Sequence, residues 1–141
     1  MDDIIFFLTE HWILSGIFLL LLIALITQEW ISQSFGMATV SPEEAVLWIN
    51  HKQAVVLDIR QPNLFLEGHI LDALNLPAAS LDKKMGLLQK HQDKPLIVVW
   101  SSSQEASKVV KVLKTKGYQA VTLKGGIQEW RTAGLPLVKK E

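Results

Sequence analysis

The chain has 141 residues, enough for one domain of ordinary size and a short additional segment. It contains no cysteine, which excludes disulfides, thiolate metal sites and a cysteine nucleophile within this chain. Its 14 basic and 14 acidic residues are unevenly placed. Residues 1–36 hold four acids and no base, whereas residues 37–141 hold 14 bases against 10 acids, a net charge of +4. The two parts therefore differ in charge and in chemistry.

Apolar side chains dominate residues 12–30. As a helix, these 19 residues extend about 28 Å, close to the ~30 Å hydrocarbon core of a bilayer. Trp12 and Trp30 stand at the two ends, where aromatic rings favour the membrane interface. The acidic start and the lack of a small-residue cleavage site disfavour a signal peptide. We therefore predict a membrane anchor over residues 1–33 and a linker over residues 34–40.

Lysine and arginine set the expected orientation of this anchor. None precedes the span, and the first basic residue after it is Lys52. Positive charge favours the cytoplasmic side of a membrane. We expect a single-pass membrane protein, with its C-terminal domain cytoplasmic and close to the bilayer. The expected partners are the bilayer, through residues 12–30, and another membrane or membrane-associated protein.

Short apolar runs alternate with helical patterns in the rest of the chain. The segment Ser41-Pro42-Glu43-Glu44 is a capping box that predicts a helix to about Asn50. The elements predicted after it are, in order, strands at Ala54–Ile59 and Ala73–Leu76, a helix at Met85–His91, a strand at Leu96–Val99, a helix at Ser103–Lys116, a strand at Ala120–Leu123 and a helix at Ile127–Ala133. This alternation predicts an α/β domain over residues 41–138, with a parallel sheet covered on both faces.

The loop after the strand Leu96–Val99 is the candidate functional site. A strand, a tight loop and a helix N-terminus make a natural anion-binding geometry, because loop N–H groups and the helix dipole converge there. The loop consists of Trp100, Ser101, Ser102, Ser103, Gln104 and Glu105. It contains no cysteine, histidine or basic residue. Ser102 and Glu105 also have capping-box spacing, which favours a structural interpretation of both.

Ordered motifs along this part of the chain resemble the rhodanese family. They are Val56–Arg60, Phe65, Gly68-His69-Ile70, Ala73–Pro77, Lys94-Pro95, Gly117-Tyr118, Gly125-Gly126 with Trp130, and Ala133–Pro136. The resemblance covers about Ser41 to Val138 and implies a three-layer rhodanese-like fold. Together with the N-terminal span, it makes the chain similar to bacterial membrane-anchored rhodanese-like proteins of the YibN type, and this similarity implies a location in the bacterial inner membrane.

The resemblance also implies roles for single residues. In the family, an Asp-x-Arg pair at the end of a strand organises loops through hydrogen bonds, which implies a structural role for Asp58 and Arg60. Other residues that match the family's structural motif are Gly68, His69, Gly125, Gly126 and Trp130. The spacing of the four histidines does not suggest a metal site, and Gly125-Gly126 lacks the context of a dinucleotide-binding loop. No cofactor or metal is therefore expected.

Active members of the family carry a persulfide on a cysteine directly after the central strand, in a loop that ends in arginine. Counted from the motifs on both sides, the cysteine position falls on Trp100 and the arginine position on Glu105. A register shifted by one residue places Ser101 and Ala106 there instead. Indole is not a nucleophile, and a serine hydroxyl is weak without an adjacent base. Both registers therefore predict no catalytic residue in this loop.

These features predict a catalytically inactive rhodanese-like domain that acts as a binding or scaffolding module. Two alternatives remain open: a sulfurtransferase-related enzyme that uses Ser101 or a partner's thiol, and a sensor of small anions. The lack of cysteine argues against the first, and the charge of Glu105 against the second.

Trp100 is either a core residue or an exposed binding anchor. The lysines 108, 111, 114 and 116 predict a solvated helix face, with contact to anionic lipid as the alternative. Nucleic acid is not expected as a partner.

Overall fold

The computed structural model describes residue 1, residue 7, residues 9–35 and residues 38–140, and for residues 28–35 it describes the backbone alone. The chain divides into two compact units, Met1–Gly36 and Met37–Glu141.

One long helix, α1 (Trp12–Phe35), forms most of the first unit. Its described side chains are mainly large, apolar and exposed; Trp12 is 71% and Phe18 is 67% exposed. The helix continues into the segment predicted as a linker, which begins at residue 34.

The predicted membrane span over residues 12–30 is not supported by the described part of this helix. Across the portion of the chain that the structure describes, no helix is both long and apolar enough to cross a membrane. Residues 28–30 of the predicted span lie outside the described side chains.

The second unit is built on a five-stranded sheet. Its strands are β1 (Thr39–Val40), β2 (Val55–Asp58), β3 (Leu74–Asn75), β4 (Leu96–Val99) and β5 (Ala120–Leu123). They lie in the order β1-β5-β4-β2-β3, and every neighbouring pair is parallel. All four residues of β4 are buried, because this strand lies at the centre of the sheet and both of its faces are covered. The predicted parallel α/β fold is confirmed.

Helices cover both faces of the sheet. They are α2 (Pro42–Lys52), α3 (Pro62–Glu67), α4 (Leu81–Lys84), α5 (Ser103–Thr115) and α6 (Gly126–Thr132), with 3-10 helices at Ala78–Ser80 and Met85–His91. The predicted capping box of α2 is present. The Glu44 N–H donates to the Ser41 hydroxyl at 3.2 Å, and the Ser41 N–H donates to the Glu44 carboxylate at 3.0 Å.

Two elements differ from the predictions. Thr39–Val40, in the predicted linker, is a strand that pairs with β5. Pro62–Glu67 is a helix that was not predicted, and it is too short to show a helical repeat of apolar residues. The predicted helix at Met85–His91 is present and has the 3-10 form. Short connecting segments often take this tighter form, because few residues are available for an α-helical ladder.

Two apolar clusters lie on opposite sides of the sheet. Leu57 and Val98 point into one cluster, together with residues of α4 and α5. Val56 and Ile97 point into the other, together with residues of α2 and α6. Successive residues of a strand point to opposite faces, so neighbours in β2 and β4 enter different clusters. The layer formed by α4, the 3-10 helix Met85–His91 and α5 thus lies on one face, and the layer of α2 and α6 on the other.

Candidate functional site

The predicted loop lies at the carboxyl end of β4, where parallel α/β sheets commonly bind ligands. Trp100 follows the strand directly, and α5 begins at Ser103. Trp100 and Ser102 are half-buried. The remaining loop residues are exposed, namely Ser101, Ser103, Gln104 and Glu105.

The indole of Trp100 packs against the turn that begins α6. A Cβ atom placed on Gly126 comes within 3.3 Å of ring atoms Cδ2 and Cε3 of Trp100, and within 2.5 Å of its carbonyl oxygen. The turn at Gly125 and Gly126 has φ values of 71° and 60°, in the left-handed region that favours glycine. The ring also packs against the apolar cluster beneath α5. Trp100 is therefore a packing residue that closes the loop against the neighbouring turn.

The indole N–H of Trp100 is buried without an acceptor. Among the described side chains, Nε1 of Trp100 and Nδ1 of His91 are the buried polar atoms that have no hydrogen-bond partner. Leaving such a donor unpaired costs about 1–3 kcal/mol. Sequence reasoning missed this feature, because the buried or exposed position of the indole nitrogen depends on contacts distant in the chain.

The predicted capping box of Ser102 and Glu105 is wrong. Ser102 occupies the N-cap of α5, but in this described segment its side chain makes no cap hydrogen bond. Its backbone angles are φ −124° and ψ 123°, whereas Ser41, which does form a box, has φ −68° and ψ 163°. The backbone bond that opens the helix is nevertheless present, because the Ser102 carbonyl accepts from the Ala106 N–H at 3.2 Å, as the Ser41 carbonyl does from the Ala45 N–H at 2.8 Å.

Glu105, where the resemblance predicts the arginine of active members, lines a cavity of about 160 Å³ between α4 and α5. Asp82 and Lys108 line the same cavity. Two carboxylates and one ammonium group therefore stand near this end of the loop. An anionic substrate would meet net negative charge at this point.

Asp58 and Arg60 form a buried ion pair at the end of β2. Arg60 donates from Nε to Oδ1 of Asp58 at 3.0 Å and from Nη2 to Oδ2 at 2.8 Å. Arg60 Nη2 also donates to the Gly68 carbonyl at 2.8 Å. The Asn75 side-chain amide donates to the carbonyls of Asp58 and Arg60 at 3.2 and 3.0 Å. These contacts join β2 to the Gly68 turn and to β3. The Asp58 carboxylate and the Arg60 guanidinium are therefore both used in hydrogen bonds that stabilise the fold.

His69 and Trp130 contact the C-terminal segment of the domain. The His69 ring stacks on Phe65 with centroids 3.8 Å apart, and its Nδ1 lies 2.8 Å from the Phe65 carbonyl oxygen. The His69 backbone pairs with Val138 in an antiparallel bridge. Trp130 Nε1 donates to the Pro136 carbonyl at 3.1 Å. Both side chains thus help to hold the returning chain against the domain.

With this geometry in place, comparison with known proteins identifies the family. Residues 41–133 match the family model of the rhodanese-like domain. The chain belongs to the rhodanese family. It is 36% identical to the uncharacterized protein YibN of Escherichia coli (strain K12) over 141 residues, which cover 99% of each chain. The predicted similarity to YibN-type proteins is confirmed.

The rhodanese-like domain also relates this chain to sulfurtransferases. A sulfurtransferase of Allochromatium vinosum is 31% identical over 91 residues, which cover 64% of this chain and 83% of that protein. The crystal structure of a rhodanese-related protein from Thermoplasma volcanium matches with a TM-score of 0.64 at 30% identity. That match covers 73% of this chain and 99% of the other, so the solved chain consists almost wholly of the shared fold.

Proposed function

We propose that this protein is a membrane-anchored rhodanese-like protein without sulfurtransferase activity. Its domain serves as a binding or scaffolding module at the cytoplasmic face of the bacterial inner membrane. The observation that carries the proposal is the packing of Trp100, in the position of the family's cysteine, against the Gly126 turn.

The chemistry of the loop supports the loss of activity. Sulfur transfer in the family requires a thiolate that accepts a sulfur atom and holds it as a persulfide. The chain has no cysteine to form one. The other loop residues include no histidine, lysine or arginine to activate the Ser101 hydroxyl. Glu105 brings negative charge where an anionic sulfur donor would be bound.

The apolar surface of α1 supports membrane anchoring. Exposed side chains of Ile, Leu, Phe and Trp are distributed along residues 12–26 of this helix. Contiguous apolar surface of this kind in water marks a membrane or protein contact. The sequence continues the apolar stretch to Trp30, and 19 helical residues extend about 28 Å. The proposed partners are the bilayer, through residues 12–30, and another membrane or membrane-associated protein.

Site-specific photocrosslinking in intact membranes tests the binding role. A photoreactive residue replaces Gln104, which is exposed in the loop; the matched control carries it at Gln128, which is exposed on α6. We expect a crosslinked membrane protein from position 104 that is missing from position 128. If position 104 gives no product, or both positions give the same product, the loop is not the binding surface.

Two biochemical assays test the other parts of the proposal. The full chain should stay in the membrane pellet at alkaline pH in carbonate, and its release would contradict the anchor. Thiosulfate:cyanide sulfurtransferase activity should equal the background without enzyme. Turnover that is lost on Ser101→Ala would instead establish the sulfurtransferase-related alternative.

One observation favours the small-anion sensor as a second candidate. Because Ser102 does not cap α5, no serine hydroxyl at that position competes for the N–H groups of the first turn. Titration of the full chain with sulfate or thiosulfate tests this function. Saturable binding that is strengthened by Glu105→Gln would support it, and a lack of binding in both proteins would refute it.

A further inference from the structure

The positive charge of the rhodanese-like domain lies on one side of its sheet. Residues 78–118, which contain α4, Met85–His91 and α5, hold eight lysines against Asp82, Asp93 and Glu105. The rest of residues 37–141 holds six bases against seven acids. Residues 78–118 therefore carry a net charge of +5 and the rest of the domain −1, so the positive charge is concentrated in the segment that supplies the layer on one face of the sheet.

Seven of these lysines are exposed, and together they define what we call the basic face: Lys83, Lys84, Lys90, Lys108, Lys111, Lys114 and Lys116. The buried residues of α5 are Ala106, Val109, Val110 and Leu113, so its lysines occupy the opposite, outward side of the helix. The salt bridge found among the described residues joins Arg60 and Asp58 and involves none of these lysines.

Two further observations concern the same layer. Leu87 is 58% exposed, and it stands in the sequence between Lys84 and Lys90. Burial, and then the charges of Lys90 and Lys94, lowers the pKa of His91 below its ordinary value of 6.5. The layer thus combines a positive potential with an exposed apolar side chain, as surfaces that bind lipid headgroups commonly do.

We propose that the basic face binds the anionic phospholipid headgroups of a membrane, with Leu87 inserted at the headgroup level. The inference rests on the proposed membrane anchor, because an anchored domain stays within reach of a lipid surface. Contact with lipid on this face would restrict the orientation of the domain and leave the opposite layer, with α2 and α6, turned away from the membrane. An RNA would offer charge complementarity without an apolar contact for Leu87, and an anionic protein would need to be recruited, whereas an anchored domain already stands beside a lipid surface.

The cysteine-free sequence makes a direct test possible. A single cysteine, introduced as Ser107→Cys on α5 or as Gln128→Cys on α6, carries a fluorophore; both positions are exposed. The full chain is reconstituted into vesicles of phosphatidylcholine, with or without one-third phosphatidylglycerol. A nitroxide on the lipid headgroup quenches the fluorophore on contact. We expect strong quenching at position 107 only in the anionic vesicles, and weak quenching at position 128 in both.

Charge variants identify the surface responsible. The pair Lys111→Gln and Lys114→Gln removes two charges of the basic face and should lower the ratio of lipid-bound to free domain about 30-fold. The matched pair Lys124→Gln and Lys139→Gln removes two exposed lysines outside this face and should change the ratio little. Because surface electrostatics are screened, 0.5 M salt should also reduce the quenching at position 107.

The outcomes separate this inference from the proposed anchor. If the protein fails to float with either type of vesicle, the anchor itself is wrong. If it floats with both but quenching at position 107 is independent of phosphatidylglycerol, the basic face does not bind lipid. An equal effect of the two lysine pairs would mean that net charge acts without a defined face. If a low concentration of added RNA abolishes the quenching at position 107 in the anionic vesicles, the basic face binds nucleic acid instead.

Discussion

Replacing Trp100 with phenylalanine measures the free-energy cost of the unpaired indole N–H. A tryptophan side chain buries 150–250 Å² when fully enclosed, so the largely buried Trp100 removes roughly 150 Å² from water and contributes about 4 kcal/mol. The unpaired N–H offsets about 1–3 kcal/mol of this stabilisation. Phenylalanine keeps most of the apolar contact with the Gly126 turn and has no donor to leave unpaired.

We therefore expect Trp100→Phe to raise the free energy of unfolding by about 1 kcal/mol, and Trp100→Ala to lower it by about 1–3 kcal/mol. The assay is urea denaturation of the full chain in detergent micelles, followed by circular dichroism. Destabilisation by Trp100→Phe as large as that by Trp100→Ala would refute the reasoning, because it would mean that the indole N–H makes a stabilising hydrogen bond in the native protein.

Three further predictions concern chemistry, packing and pH. Trp100→Cys combined with Glu105→Arg should give weak production of thiocyanate from thiosulfate and cyanide, whereas each single variant should give none, because the thiolate needs a positive neighbour to lower its pKa. Arg60→Met should lower the free energy of unfolding by about 3–5 kcal/mol, since it leaves the Asp58 carboxylate buried without its partner. His91→Gln should weaken the loss of stability on acidification below pH 6.5. Because folding lowers the His91 pKa, the unfolded chain binds more protons there, and stability falls as the pH falls.

Each of these predictions has a control. Activity of Trp100→Cys alone would show that the charge of Glu105 is unimportant, and an inactive but folded double variant would mean that the loop backbone no longer forms the family's anion cradle. Arg131→Met removes an exposed arginine and should cost less than 1 kcal/mol. His51→Gln, at an exposed position, controls for the loss of an imidazole; equal pH profiles for the two histidine variants would contradict the role of His91.

Local signals in the sequence were sufficient for the regular parts of the domain. The capping box at Ser41 and Glu44 joins residues only three apart, so its two hydrogen bonds depend on the local backbone geometry at the start of the helix. The apolar run of β4 indicates a strand buried on both faces, and its alternation with helices indicates a parallel sheet. The lack of cysteine is likewise a property of the sequence alone, and it excludes a cysteine persulfide in the loop.

Tertiary structure decided the features that depend on distant residues. The strand Thr39–Val40 has two residues, too few for a pattern, and exists because β5 offers a free edge with which it pairs. The same capping motif that forms at Ser41 does not form at Ser102, although both residues have extended backbones, so the sequence spacing alone does not determine whether the side-chain bonds are made. The contact between Trp100 and Gly126 joins residues 26 positions apart. It arises because β4 and β5 are neighbours in the sheet, which brings the loops at their carboxyl ends together.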